Sequence, residues 1–131
     1  MNSTSTTQAE APPPVAIGHV DLTVTDVGQA TDYFVKLGLR HIHQDDDFAV
    51  LELRGGTHLV LETPETPIAP GQQAPFDLMV DDLAATHQKY AELGMSPSAI
   101  ETGRIHSSFY LKGPDGYEIR VTSSHTSGRP V

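Results

Sequence analysis

From residue 19 to residue 24, polar and apolar side chains alternate. Val20, Leu22 and Val24 are apolar; His19, Asp21 and Thr23 are not. That is the period of a strand with one packed face and one polar face. The spacing changes at Asp26. Val27, Ala30, Phe34 and Leu37 recur at helical intervals with Tyr33 beside them, so Asp26 reads as an N-cap and Gly38 as the stop. Three short strands are expected next, over residues 39–44, 48–53 and 57–62. Asp45-Asp46-Asp47 and Arg54-Gly55-Gly56 form the turns between them, the acidic run being a solvated turn. His41 and His43, near the first turn, read as surface residues. The first half is a β-α-β-β-β unit.

Residues 63–73 hold three prolines and a glycine, the composition of a linker. The same order then repeats. Phe76, Leu78 and Val80 give the packed face of a strand, Asp82 or Asp81 caps a helix running to about Leu93, and Gly94 ends it. Strands are expected over residues 98–101, 107–112 and 117–122, with Gly113-Pro114-Asp115-Gly116 as a tight turn between the last two. The offset is constant: 80 − 24, 82 − 26, 90 − 34 and 94 − 38 all equal 56. A period of that size marks a repeated supersecondary unit. Two copies make a paired module with a cleft between its halves. The expected organisation is a tail over 1–14, one domain over 15–122 (module one 15–62, linker 63–74, module two 75–122), and a polar tail over 123–131.

Composition narrows the partners. A length of 131 residues suits a single core. The absence of cysteine excludes disulfides and thiolate metal sites and fits a cytoplasmic protein. A net charge of −9 argues against nucleic acid, which needs clustered Lys and Arg, and against an anionic membrane surface. No apolar run approaches the ~20 residues of a membrane helix. Residues 1–14 are Ser/Thr-rich and then Pro-rich, without the basic start and apolar centre of a signal peptide, and are expected to be disordered.

Two β-α-β-β-β units, each with an Asp opening a helix that ends in Leu-Gly, and a Pro-Asp-Gly turn near the end: this pattern resembles the vicinal oxygen chelate superfamily, which includes glyoxalase I, bleomycin-resistance proteins, fosfomycin-resistance enzymes and extradiol dioxygenases. The resemblance covers roughly residues 16–122. It implies an α+β fold in which two pseudo-symmetric modules form an incomplete barrel around a cavity, and it implies a homodimer. Metal-dependent members place ligands on the first and last strands of each module. The first is a His seven residues before the capping Asp, here His19 (26 − 7). Its symmetric counterpart, 19 + 56, is Pro75, which has no ligating side chain. The final ligand is a Glu four residues after the turn glycine; 116 + 4 is Arg120. Counting four from Gly56 gives Val60, and one pleat further gives Glu62. If a divalent metal is present, the resemblance assigns it His19 and Glu62. The guanidinium of Arg120 would repel a cation at close range, and three protein ligands are the usual minimum for a catalytic site. No metal or other cofactor is expected.

Alternation also gives the polar faces without reference to a family. His19, Asp21 and Thr23 oppose the packed face of their strand. So do His58, Val60 and Glu62; Asp77 and Met79; His106, Ser108 and Tyr110; and Glu118, Arg120 and Thr122. A wet face is ordinary for an antiparallel sheet, and Asp77 and Arg120 also suit a purely structural ion pair. If the faces line the cavity, His19, Asp77, Arg120 and Tyr110 supply base, acid and oxyanion clamp. Asp21, His58, Glu62, His106 and Ser108 would contact the ligand. His19, Asp77 and Arg120 are expected in one shared cavity. Three functions are open. One is a metal-independent lyase or isomerase acting on a small oxygenated molecule. A second is a module sequestering an antibiotic or similar compound, for which the acidic charge suits a cationic ligand but the lack of Trp is unfavourable. A third is a metal-dependent lyase or dioxygenase with His19 and Glu62 joined by Asp77, Asp21 or His106.

Overall fold

Two aspartates 56 residues apart start the two helices. In the computed structural model, which describes residues 11–131, the Asp26 carboxylate accepts the Gln29 N–H at the head of α1 (Val27–Leu37). Asp82 accepts the Ala85 N–H at the head of α2 (Leu83–Glu92) in the same way. Each cap satisfies one orphan donor, a contribution of about 1 kcal/mol. Both helices run out into glycines at positive φ, Gly38 at 120° and Gly94 at 78°, where a side chain would be strained. The next N–H returns to the last turn, from Leu39 to Phe34 and from Met95 to Tyr90. Asp82 is thus the cap, and Asp81 pairs instead with Arg54.

Each helix sits in a crossover between two parallel strands. The first sheet holds β1 (His19–Thr23), β2 (Arg40–Gln44), β3 (Phe48–Glu52) and β4 (His58–Glu62) in the order β1-β4-β3-β2. The second holds β5 (Gln73–Val80), β6 (Glu101–Thr102), β7 (Ser107–Lys112) and β8 (Glu118–Ser123) in the order β5-β8-β7-β6. In both, the first and last strands pair in parallel and the other pairs are antiparallel. The protein is α+β, two modules of one topology with no closed barrel. Among the described residues no helix is long and apolar enough to cross a membrane. Most of the expected N-terminal tail lies outside the described residues.

The offset does not stay at 56. The turns Leu53–Thr57 and Gly113–Tyr117 close alike. The first N–H bonds the last carbonyl at 2.8 and 2.7 Å, and the fourth N–H bonds the first carbonyl at 3.2 Å in both. Their offset is 60 (113 − 53). Four extra residues therefore lie between α2 and β7, where β6 is short. A strand was expected over 98–101, but the ladder forms only at Glu101–Thr102. Ser98 does bond Tyr110, through its N–H and its Oγ. Pro97 carries no N–H to extend that pairing. β5 begins at Gln73, inside the segment expected as linker. Its register with β8 breaks between Gln73 and Asp77, around Pro75, which a sheet tolerates at a bulge on an edge strand.

One core serves both modules. Leu22, Val24, Phe34, Leu51, Leu59 and Leu61 from module one and Phe109, Leu111, Ile119 and Val121 from module two are all at most 2% exposed. Side chains of this size contribute about 1.5–3 kcal/mol each on burial. The halves are joined by the Tyr90 hydroxyl donating to the Leu37 carbonyl at 2.7 Å. The Phe34 and Phe76 rings meet at 6.5 Å, and the Thr25 N–H donates to Asp115 at 2.8 Å. Edge strands β1 and β5 run beside one another.

Candidate functional site

Opposite the core, module two carries a polar row across three strands. Asp77 on β5, Arg120 on β8 and Tyr110 on β7 are direct register neighbours, so they share one face at cross-strand contact distance. The packed residues between them, Leu78, Phe109, Ile119 and Val121, hold that face outward. Asp77 and Arg120 line a cavity of ≈ 350 Å³ with Gln73, Ala74 and Phe76. Tyr110 lines a separate one of ≈ 360 Å³ that shares no residue with it. Arg120 is half-buried, and its Nε is buried with no hydrogen-bond partner. The structural ion pair with Asp77 does not form: the Arg–carboxylate pairs among the described residues are Arg40–Glu52 and Arg54–Asp81.

Ser108 lies one pleat along β7 from Tyr110, pairs with Thr122 and is buried. His106 precedes β7 rather than standing on it, since the Gly103 N–H bonds the His106 carbonyl in a turn. Its Nδ1 is buried without a partner and its ring lies 5.9 Å from that of His125.

Module one arranges its polar groups differently. The row equivalent to Asp77–Arg120–Tyr110 is Asp21–Val60–Val50, with two of the three positions apolar. One pleat away, a row spans all four strands: His19, His58, Glu52 and Arg40 are successive register neighbours. The His19 and His58 rings meet edge to face at 6.0 Å, His58 Nε2 lies 3.4 Å from a Glu52 oxygen, and the other Glu52 oxygen lies 3.1 Å from Arg40. Glu52 orients His58. Sequence reasoning passed over it, although the alternation of Phe48, Val50 and Glu52 against buried Ala49 and Leu51 carries the signal. His19, Asp21 and Glu62 are exposed. The structure thus sorts the expected site residues into two groups. Asp77 and Arg120 come together, while His19 sits beside His58 on the other sheet and lines neither the Arg120 cavity nor the larger one at the seam.

A divalent metal does not fit the four positions that the resemblance assigns. The matching turns make Val60 the equivalent of Arg120, so Glu62 falls one pleat beyond, opposite Thr23 and Phe48. The set is then His19, Val60, Pro75 and Arg120, one imidazole and one cation. Among the described residues no three His, Asp or Glu side chains are grouped closely enough to hold a metal.

Residues 16–121 match the family described as the Glyoxalase/Bleomycin resistance protein/Dioxygenase superfamily. No curated protein matches by sequence. Among solved structures, the lactoylglutathione lyase from Agrobacterium tumefaciens superposes with a TM-score of 0.72 at 21% identity, covering 89% of this chain and 99% of its own. The bleomycin-binding protein from Streptomyces verticillus, solved with copper(II)-bleomycin, gives 0.68 at 21% identity, covering 86% and 99%. The bleomycin resistance determinant encoded on transposon Tn5 gives 0.68 at 20%, covering 84% and 98%. At these identities the likeness speaks to the fold.

Proposed function

Because the chain belongs to the glyoxalase/bleomycin resistance protein/dioxygenase superfamily, we propose that it acts on a small oxygenated organic molecule, held as an oxyanion by Arg120 without a divalent metal. The observation that carries this is the half-buried Arg120 guanidinium beside a cavity, with no carboxylate paired to it among the described residues. Its terminal N–H groups are left free to take a carboxylate or enolate oxygen through charge-assisted bonds. Asp77 and Tyr110 flank Arg120 on the two adjoining strands. In this reading Arg120 stabilises the developing oxyanion, an Asp77 oxygen takes the proton from the neighbouring carbon and returns it to another carbon of the same molecule, and the Tyr110 hydroxyl donates a hydrogen bond that orients the oxygen. One C–H bond breaks and another forms, an isomerisation that needs no oxidant and leaves Asp77 ionised at the end.

The same proposal pairs two copies of the chain, so that the His19–His58–Glu52 face of one covers the Arg120 face of the other. It is supported by the exposure of His19, Asp21, Glu62, Asp77 and Glu118 in a single chain. Sequestration is the second reading, favoured by the open acidic face at Asp21 and Glu62, which suits a cationic ligand. The test is a panel of small carboxylates and keto acids. Arg120→Gln is expected to weaken binding about 10–100-fold. Asp77→Asn should keep binding but stop deuterium exchange at the carbon beside the carbonyl. A bound ligand that shows no exchange in the wild type leaves sequestration as the function. Equal binding by Arg120→Gln overturns the proposal.

A further inference from the structure

A second cavity, larger than the one that holds Arg120, lies at the seam between the modules, ≈ 490 Å³, walled by Ile17, Val20, Leu59, Phe76, Leu78 and Met79. Its lining is mostly apolar. Arg54, which also lines it, is bonded to both Asp81 oxygens at 3.1 and 3.3 Å. The seam cavity adjoins the site. Phe76 and Asp77 line both it and the ≈ 350 Å³ cavity of Arg120. The reason is topological: β5 is an edge strand, bonded to β8 on one side and merely adjacent to β1 on the other.

We infer that the two cavities hold one ligand, an amphipathic carboxylic acid with its head on Arg120 and its apolar body in the seam. The inference rests on the reading of Arg120 given above and adds the ligand's class. An apolar cavity joined to a few convergent polar groups is the usual form of a small-molecule site. At ~30 Å³ per water-sized group, the seam's ≈ 490 Å³ takes a body of up to roughly sixteen non-hydrogen atoms. Water in a cavity with so few polar partners is poorly held, and displacing it by carbon gains affinity. Each methylene buried is worth about a three- to fourfold gain in affinity.

The test is calorimetry with straight-chain carboxylates from acetate through butanoate and hexanoate to octanoate, on the full chain. The wild type is expected to gain about threefold per methylene along the series. Val20→Phe, which fills the seam, should flatten the series while leaving acetate unchanged. Met79→Gln, which makes the wall polar at similar size, should halve the gain or more and serves if the first variant fails to fold. Arg120→Gln should weaken every member alike. Equal binding of acetate and octanoate by the wild type, or a gain with length that both wall variants keep, overturns the amphipathic ligand while a loss in Arg120→Gln leaves the Arg120 reading standing. No effect of Arg120→Gln on any member overturns that reading itself, and no binding of any member by the wild type overturns both.

Discussion

The two modules share one backbone plan and load it differently. At the level of Asp21 and Asp77, module one continues with Val60 and Val50, and module two with Arg120 and Tyr110. At the level of His58 and Glu118 the roles reverse. Module one has the imidazole–carboxylate row His19–His58–Glu52, whereas module two has Glu118 and Lys112 beside a strand that Pro75 has pushed out of register. The sheet fixes where side chains point, and a few residue identities decide which pleat carries chemistry. One duplicated frame thus presents an aspartate–arginine–tyrosine row in one half and a histidine row in the other, each at its own height.

The helices give the comparison with the largest expected energies. Phe34 and Tyr90 are equivalent (90 − 34 = 56), and both are buried. Phe34→Ala should cost about 3–5 kcal/mol in denaturant unfolding, since it empties the shared core. Tyr90→Phe should cost about 1–3 kcal/mol, because it orphans the Leu37 carbonyl that Tyr90 bonds across the modules. A loss for Tyr90→Phe as large as that for Phe34→Ala would mean that the hydrogen bond, not packing, joins the halves.

Next in size is the contrast between the polar rows. Arg120→Gln is expected to lower carboxylate affinity by about 1.4–3 kcal/mol, while Val60→Gln at the equivalent position changes it little. Comparable losses at both positions would erase the asymmetry. The caps should be alike: Asp26→Ala and Asp82→Ala each lose about 1 kcal/mol, and an unequal pair would show that one helix is held by packing alone. Assembly sharpens the comparison further. Light scattering is expected to give a dimer, and Glu62→Arg with Asp21→Arg on the module-one face should return a monomer of 14.1 kDa.

Alkaline pH gives the mildest test. Burial pushes the Tyr90 phenol above its ordinary 10.0, and burial, with a smaller contribution from Tyr90, pushes Tyr33 up as well. A raised folded pKa means that the folded state keeps its proton longer than the unfolded chain. Their contribution is intact below pH 10 and is lost as pH rises above it. The unfolding midpoint should therefore fall above pH 10, and Tyr90→Phe should flatten that fall.

Much of the frame was legible in the sequence because it is local. Asp26 and Asp82 cap by contacts three residues away, and alternation alone placed Asp77, Tyr110 and Arg120 on one face. What escaped depends on pairing between distant strands. Glu52 matters only because register sets it beside His58, and Val60 rather than Glu62 matches Arg120 only because two turns close alike after a four-residue insertion. The Pro75 bulge moves β5 against β8 in a way that counting from the repeat does not capture. Likewise, residue spacing says nothing of how two sheets sit side by side, which is why His19 was expected in a cavity with Arg120 and lies instead with His58.

The central claim is that Arg120 holds an oxyanion, and its own side-chain resonance reports on that most directly. In a titration of the wild type with acetate followed by ¹⁵N–¹H spectroscopy, the Arg120 guanidinium signals should shift and saturate with the calorimetric affinity. A signal that stays in place while acetate demonstrably binds would contradict the account.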